Sequence, residues 1–384
     1  MEKQDPSGHF KNAIEESFGQ IRDPRVKHLC KHTLLDIIAI ALLAVIAGAE
    51  GWDEIEVYGQ GKEDWLKTFL ELPNGIPSAD TFARVISSLD PEALEAGFQQ
   101  WVGHLTESLE GELIAIDGKT SRGSYDREEG VKALQLVSAW ATERRLVLGQ
   151  CPVSSKSNEI TAIPVLIEQL DVKGAIVSID AMGTQTKIAQ QLRAKEADYI
   201  LALKGNQGNL HHAAQTWFEA LEADSPSEHL SQYQSCEAGH HRIEKRQVWR
   251  IPAHEVFEPE QCAAWADLAS LVVVRAERRL WNKTTLETRY FLSSAAFSAQ
   301  EFAPKIRGHW GIENTLHWSL DVVYGEDHSR LRRDHAPRNF SLLRRLSLNL
   351  LRQEPSKGSL KSKRYRAGLD NRFMLTILAS TVSD

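Results

Sequence analysis

The chain has 384 residues, 42% of them hydrophobic and 25% charged, and a formal net charge of −7; this is a globular composition, long enough for two or three domains with a substantial core. Cys30, Cys151, Cys236 and Cys262 are scattered without a CxxC pair, which argues against a disulfide framework or thiolate metal site and suits a reducing cytoplasm. The polar start Met1-Glu2-Lys3-Gln4-Asp5 lacks a signal-peptide core, and the longest apolar run, Ile37 to Ala49, falls short of the roughly 20 residues that span a bilayer, so no membrane association is expected.

Net acidity speaks against a nucleic-acid partner, but its distribution speaks for one. Between Arg330 and Arg372 stand thirteen basic residues, Arg344 and Arg345 among them, against Asp334, Glu354 and Asp370. A polyanion suits such a segment; a solvated basic surface is the alternative.

Residues 1 to about 105 read as helical. Thr33 is placed to cap a helix from Leu34 to Ala47, and Ser78 one from Ala79 to Leu89. Another follows from Pro91 to Leu105. This last pair also fits a DNA-contacting helix-turn-helix with Thr81 and Arg84 outward, although the lack of basic residues favours a plain helical cap. From Glu112 the pattern changes to short strands: Leu113 to Thr120, Ala133 to Thr142, and Leu146 to Val153 across the turn Glu143-Arg144-Arg145. A helix from Ile160 to Gln169, a strand ending at Asp180, a helix from Gln185 to Ala194 and a strand Tyr199 to Leu203 complete a ribonuclease H-like order. Residues 207–300 are irregular, with strands around Gln247, Leu271 and Tyr290 joined in part through Trp281-Asn282-Lys283. Helix resumes from Ala303. A stretch from Pro337 to Arg352 and a last apolar helix, Asn371 to Ala379, complete the chain.

Chemistry concentrates where the strands end. Leu113-Ile114-Ala115-Ile116 leads into Asp117, after which Gly118 is expected to turn the backbone, and Ile176-Val177-Ser178-Ile179 leads into Asp180. Two carboxylates side by side at one sheet edge repel unless a cation lies between them, which invites a divalent metal. Glu313 is the natural third member, because the helix after the last strand of such a sheet can aim a carboxylate at both. His309, Glu313 and His317 share one helical face at i, i+4 steps, with Trp310 and Leu316 nearer the packing side. A zinc site on these three is disfavoured, since they climb about 12 Å of helix.

The order Asp117, Asp180, Glu313, with the phrases IAIDGKT, SIDAMGTQ, LKGNQG and HWGIENTLHWSLDV, resembles the DDE transposases of insertion sequences, in the group that includes the H-repeat-associated proteins of Rhs elements. The resemblance spans nearly the whole chain. It implies an α/β fold: a ribonuclease H-like core with a mixed five-stranded sheet, an all-α N-terminal domain, and a partly β insertion before the glutamate helix. The corresponding divisions are 1–108, 109–206, 207–300 and 301–384. It further implies Asp117, Asp180 and Glu313 as catalytic residues and ligands of two Mg2+ or Mn2+ ions, with cleavage of double-stranded DNA at element ends and transfer of the 3′-hydroxyl to target DNA. A homodimer on paired ends is expected by analogy, and the cytoplasm as its location.

Related transposases often carry a Tyr-Arg-Glu-Lys signature around the glutamate, from which this chain departs: His309 stands at the Arg position, Leu320 at the Lys position and Ile306 at the Tyr position. Positive charge near the phosphates is therefore assigned to Lys119, Lys204, Arg307 or Arg330, with His309, Arg344 and Arg345 as further DNA contacts. Lys156, Ser157, Asn158 and Glu159 resemble another family phrase; helix capping explains Ser157 and Asn158, and a catalytic role is the alternative. His240, His241, Arg242 and Glu244 fit either a DNA contact or a solvated loop, and Trp281 fits stacking on a base. A nuclease without joining activity and a catalytically inactive DNA-binding protein remain as alternatives.

Overall fold

The computed structural model describes residues 6–106, 108–126, 130–154, 158–223, 230–239 and 242–379; Lys156, Ser157, His240 and His241 lie outside them. Nine strands form one mixed sheet flanked by helices: β1 (Leu113–Ser121), β2 (Leu134–Ala141), β3 (Leu146–Pro152), β4 (Ile176–Ile179), β5 (Asp198–Leu203), β6 (Ser231–Gly239), β7 (Arg242–Pro252), β8 (Ser270–Leu280) and β9 (Lys283–Ser293). Their order is β3-β2-β1-β4-β5-β9-β8-β7-β6. β1 to β3 pair antiparallel, β1, β4 and β5 pair parallel, and the rest are antiparallel.

The sheet has nine strands rather than the expected five, because the insertion continues it instead of standing apart. Ile200 to Leu203 would otherwise leave an apolar edge open, and β9 closes that edge in the register Ile200↔Ser293 to Leu203↔Tyr290. Nor is the C-terminal segment a free basic tail. Its helices Ala336–Gln353 and Leu360–Leu369 pack on Leu34–Ala47, and this is why that helix is buried along nearly its whole length. Thr33 caps it as expected, its Oγ1 accepting from Asp36 N at 3.1 Å. The pair Ala79–Ser88 and Pro91–Leu105 is likewise packed, with Asn339 Nδ2 donating to Ile86 O (2.8 Å) and Leu89 O (3.0 Å). Among the described residues no single helix is long and apolar enough to cross a membrane.

Apolar layers cover both faces of the central strands. Ile163, Leu166 and Ile188 belong to the same core as Ile114 and Ile116. Phe302 and Ile306, from the helix Ala299–His309, pack with Leu113, Ile176 and Ile200. Side chains alternate along a strand, so Leu113 and Ile114 face opposite layers. Gly308 lets the helix lie close on β1: a Cβ there would fall 2.6 Å from Leu113 Cδ2. That close docking sets the position of the π-helical turn Ile312–His317, just beyond the helix, which carries Glu313.

Candidate active site

Asp117 sits inside β1, not at its end. The strand runs on to Ser121 along β2, with Asp117 opposite Ser138, whereas β4 stops after the pair Ile116↔Ile179. The sheet therefore forks at Asp117, and Gly118 continues the strand rather than turning it. Asp180 directly follows β4 and caps a single helical turn, Ala181–Gly183, its Oδ1 accepting from Met182 N (3.0 Å) and Gly183 N (3.4 Å). A Cβ on Gly183 would fall 2.3 Å from Ile179 Cγ2, so this tight cap requires glycine. In-register parallel strands thus present two carboxylates side by side.

Glu313 reaches the same place from the π-helical turn just beyond the helix that packs on Leu113. Burial first, and then the charge of Asp180, raises its carboxyl above the ordinary value. Asp117 is pushed up to about 7, chiefly by burial, against a lowering hydrogen bond from the Gly118 N–H; the charges of Asp180, Glu313 and Glu159 add to the rise. Asp117 thus feels the charges of the other carboxylates at the fork. A π-helical turn within a helix commonly marks a functional position, and here it lies on the glutamate.

The flanking histidines act as neutral groups. His309 meets Ser178 Oγ through Nδ1 at 3.0 Å, and burial lowers its pKa. His317 Nδ1 lies 3.7 Å from Asp117 Oδ2, and burial depresses its pKa to about 3. Trp310 is 42% exposed, contrary to expectation, with the Arg289 guanidinium 5.5 Å from its ring, whereas Leu316 is buried as expected.

Oxygen donors predominate, as Mg2+ or Mn2+ prefers, so the donor set fits such ions. Among the described residues, no three His, Cys, Asp or Glu side chains close around a single point as an ion would require.

Several basic residues expected at DNA are instead internal. Lys119 is buried and its Nζ meets Asp321 (2.7 Å), Asp327 (3.1 Å) and Glu326 (3.4 Å). Arg345 is fully buried and pairs with Glu326 at 3.0 Å, while Ser341 also bonds to both. Arg344 is buried over the Phe340 ring, 4.5 Å from its centroid. His309 is half-buried. An internal carboxylate explains this network, since Glu326 must be paired once it is out of water. Sequence reasoning missed Glu326 entirely, because an acid after a helix carries no sign that it will be buried. Arg338 pairs with Glu92 and Lys363 with Glu354, so much of the basic excess is neutralised within the fold. Lys204, Arg307 and Arg330 remain at the surface; Arg307 pairs with Glu237. Glu244 is buried in the sheet extension among Arg242, Arg246 and Arg278, so it is neither a DNA contact nor part of a solvated loop.

Residues 108–350 match the transposase DDE domain, and residues 15–102 match the DDE_Tnp_1-associated region. The chain belongs to the DDE transposase family. YncI of Escherichia coli O157:H7, named as a transposase, is 42% identical over 94% of this chain and 93% of its own length. YhhI of Escherichia coli K12, named as an H repeat-associated transposase, is 39% identical over 96% of this chain and 98% of its own. Among solved structures, a piggyBac transposase synaptic complex with hairpin DNA shares 12% identity at a TM-score of 0.41, covering 97% of this chain and 81% of that one.

Proposed function

We propose that this transposase cleaves DNA at the ends of an insertion element and joins the freed 3′-hydroxyl to target DNA, with Asp117, Asp180 and Glu313 as its catalytic carboxylates. The observation that carries this is the fork at β1, where Asp117 and Asp180 stand on neighbouring strands and Glu313, just beyond the helix that lies on Leu113, is near enough for its charge to act on Asp117. When bound, two Mg2+ or Mn2+ ions supply a water of lowered pKa and stabilise the leaving 3′-oxygen. Asp117, Asp180 and Glu313 would hold these ions, and their oxygens suit hard divalent cations. Neutral His317 stands beside Asp117 and limits its rotation without adding positive charge that would compete with a cation. The five strands β3-β2-β1-β4-β5 form a ribonuclease H-like core in this proposal, preceded by a helical domain over 1–108. The core spans 109–206, the insertion 207–300, and the glutamate helix with the C-terminal region 301–384.

DNA approaches over the extension β6 to β9 and the surface residues Lys204, Arg307 and Arg330. Trp281, 98% exposed in the turn between β8 and β9, is available to stack on a base. The protein works in the cytoplasm as a dimer on paired ends.

The test uses DNA bearing the repeats that flank the coding sequence, with a labelled 3′-hydroxyl end, in Mg2+ or Mn2+. Cleavage and joining by the wild type, both lost in Asp117→Asn, are expected. Cleavage without joining would leave a nuclease, and full activity in the variant would remove Asp117 from the site.

A further inference from the structure

A fourth carboxylate reaches the same fork from an element that the catalytic triad does not use. Glu159 is the first residue of the helix Glu159–Gln169. Its side chain lies directly on the backbone beside Asp117: a Cβ built on Gly118 would fall 1.9 Å from Glu159 Oε1, 2.3 Å from Cδ and 2.9 Å from Oε2. Any side chain at residue 118 would displace that carboxylate. Gly118 lies in a regular strand, opposite Val137, where glycine costs roughly 0.5–1 kcal/mol relative to alanine. No turn or left-handed backbone explains glycine there, and the seat for Glu159 does.

Gln135, on the neighbouring strand β2, fixes the carboxylate by donating from Nε2 to Oε1 at 2.7 Å. An acid in the first turn of a helix is favoured by the helix dipole alone, but that effect is satisfied by a solvated side chain and does not require one folded down onto β1. Here the carboxylate is half-buried among acids, while the nearest lysine along β1, Lys119, is committed to Asp321, Glu326 and Asp327. Asp117, Asp180, Glu313 and Glu159 together carry four negative charges, the formal balance of two divalent ions.

We propose that Glu159 is a fourth carboxylate ligand of the metal centre, seated through Gly118 and oriented by Gln135. The proposal rests on the two-ion reading above, and its test separates the two. Mn2+ binding to the full chain without DNA is measured by calorimetry, with folding checked by thermal melting. Glu159→Gln preserves shape and the acceptor for Gln135, and it is expected to weaken Mn2+ binding at least tenfold. Gly118→Ala, which displaces the carboxylate without altering it, is expected to weaken binding to a similar degree. Should it fail to fold, Glu159→Gln alone decides. Unchanged Mn2+ affinity in Glu159→Gln, with affinity lost in Asp117→Asn, would overturn the role of Glu159 and leave the triad standing. Affinity unchanged in both variants would overturn the two-ion reading and this proposal with it.

Discussion

Asp117→Asn should make the metal-free protein more stable, and by more at pH 8 than at pH 5. Burial, reinforced by Asp180, Glu313 and Glu159, pushes the carboxyl from 3.8 up to about 7, and the side chain is 17% exposed. A carboxyl raised on folding holds its proton more tightly in the native state. The stability it contributes is therefore complete below its unfolded value and is lost as pH rises through about 7. At about 1.36 kcal/mol per unit, the raised carboxyl costs about 4 kcal/mol at pH 8, where it is ionised in the native state, and about 2 kcal/mol at pH 5, where folding must protonate it. Asparagine keeps an acceptor oxygen and carries no charge, so it avoids both costs. For 384 residues the unfolding entropy is roughly 0.8 kcal/mol per degree. The variant should thus melt about 5 °C higher than wild type at pH 8, and about 2 °C higher at pH 5. Melting in EDTA by scanning fluorimetry across this pH range measures both gaps. A variant that melts at or below wild type at pH 8, or whose advantage does not grow with pH, would refute the reasoning that Asp117 is a strained, cation-seeking carboxylate.

Other consequences concern the charges that hold the site from behind. Glu326→Gln leaves Arg345 and Lys119 short of a buried counter-charge and should cost about 3–5 kcal/mol, seen as a melting point lower by about 4–6 °C. Arg345, Lys119 and Arg344 outweigh burial and hold the Glu326 carboxyl down to about 2. Its contribution is present above the ordinary carboxylate range and lost as pH falls through about 2, so the gap should narrow in strong acid; a constant gap would contradict this. Arg345→Met should lower stability while leaving the salt dependence of DNA binding unchanged, because the side chain is fully buried. A slope reduced by about one would return Arg345 to the DNA. Trp281→Ala should leave the melting point unchanged and weaken DNA binding about 5-fold to 150-fold, the range of a base-stacking contact; unchanged affinity would remove the hairpin tip from the interface.

Local signals carried much of this architecture. Thr33 before an apolar run fixed the helix Leu34–Ala47, and the two apolar runs into Asp117 and Asp180 located β1 and β4. What could not be read was long-range pairing. β1 passes Asp117 because β2 supplies antiparallel partners as far as Ser121, and no local feature distinguishes this from a strand ending in a turn. β6, with the sequence SQYQSCEAG, is an edge strand with little burial, so it lacks the apolar alternation by which strands are found. The arginines of Ala336–Gln353 looked like a DNA surface because their partner, Glu326, announces nothing about its burial. Glu159 was visible as an acid at a helix start. Its contact with Gly118 depends on a fold that brings together residues 41 positions apart in the chain.

The central claim, that acids from three separate elements converge on shared divalent ions, is tested most directly by crystals grown with Mn2+ and measured at the manganese absorption edge. Two anomalous peaks between Asp117 and Asp180, with Glu313 coordinating one of them, are predicted. Peaks elsewhere, or an empty fork at saturating Mn2+ with Glu313 turned away, would contradict it.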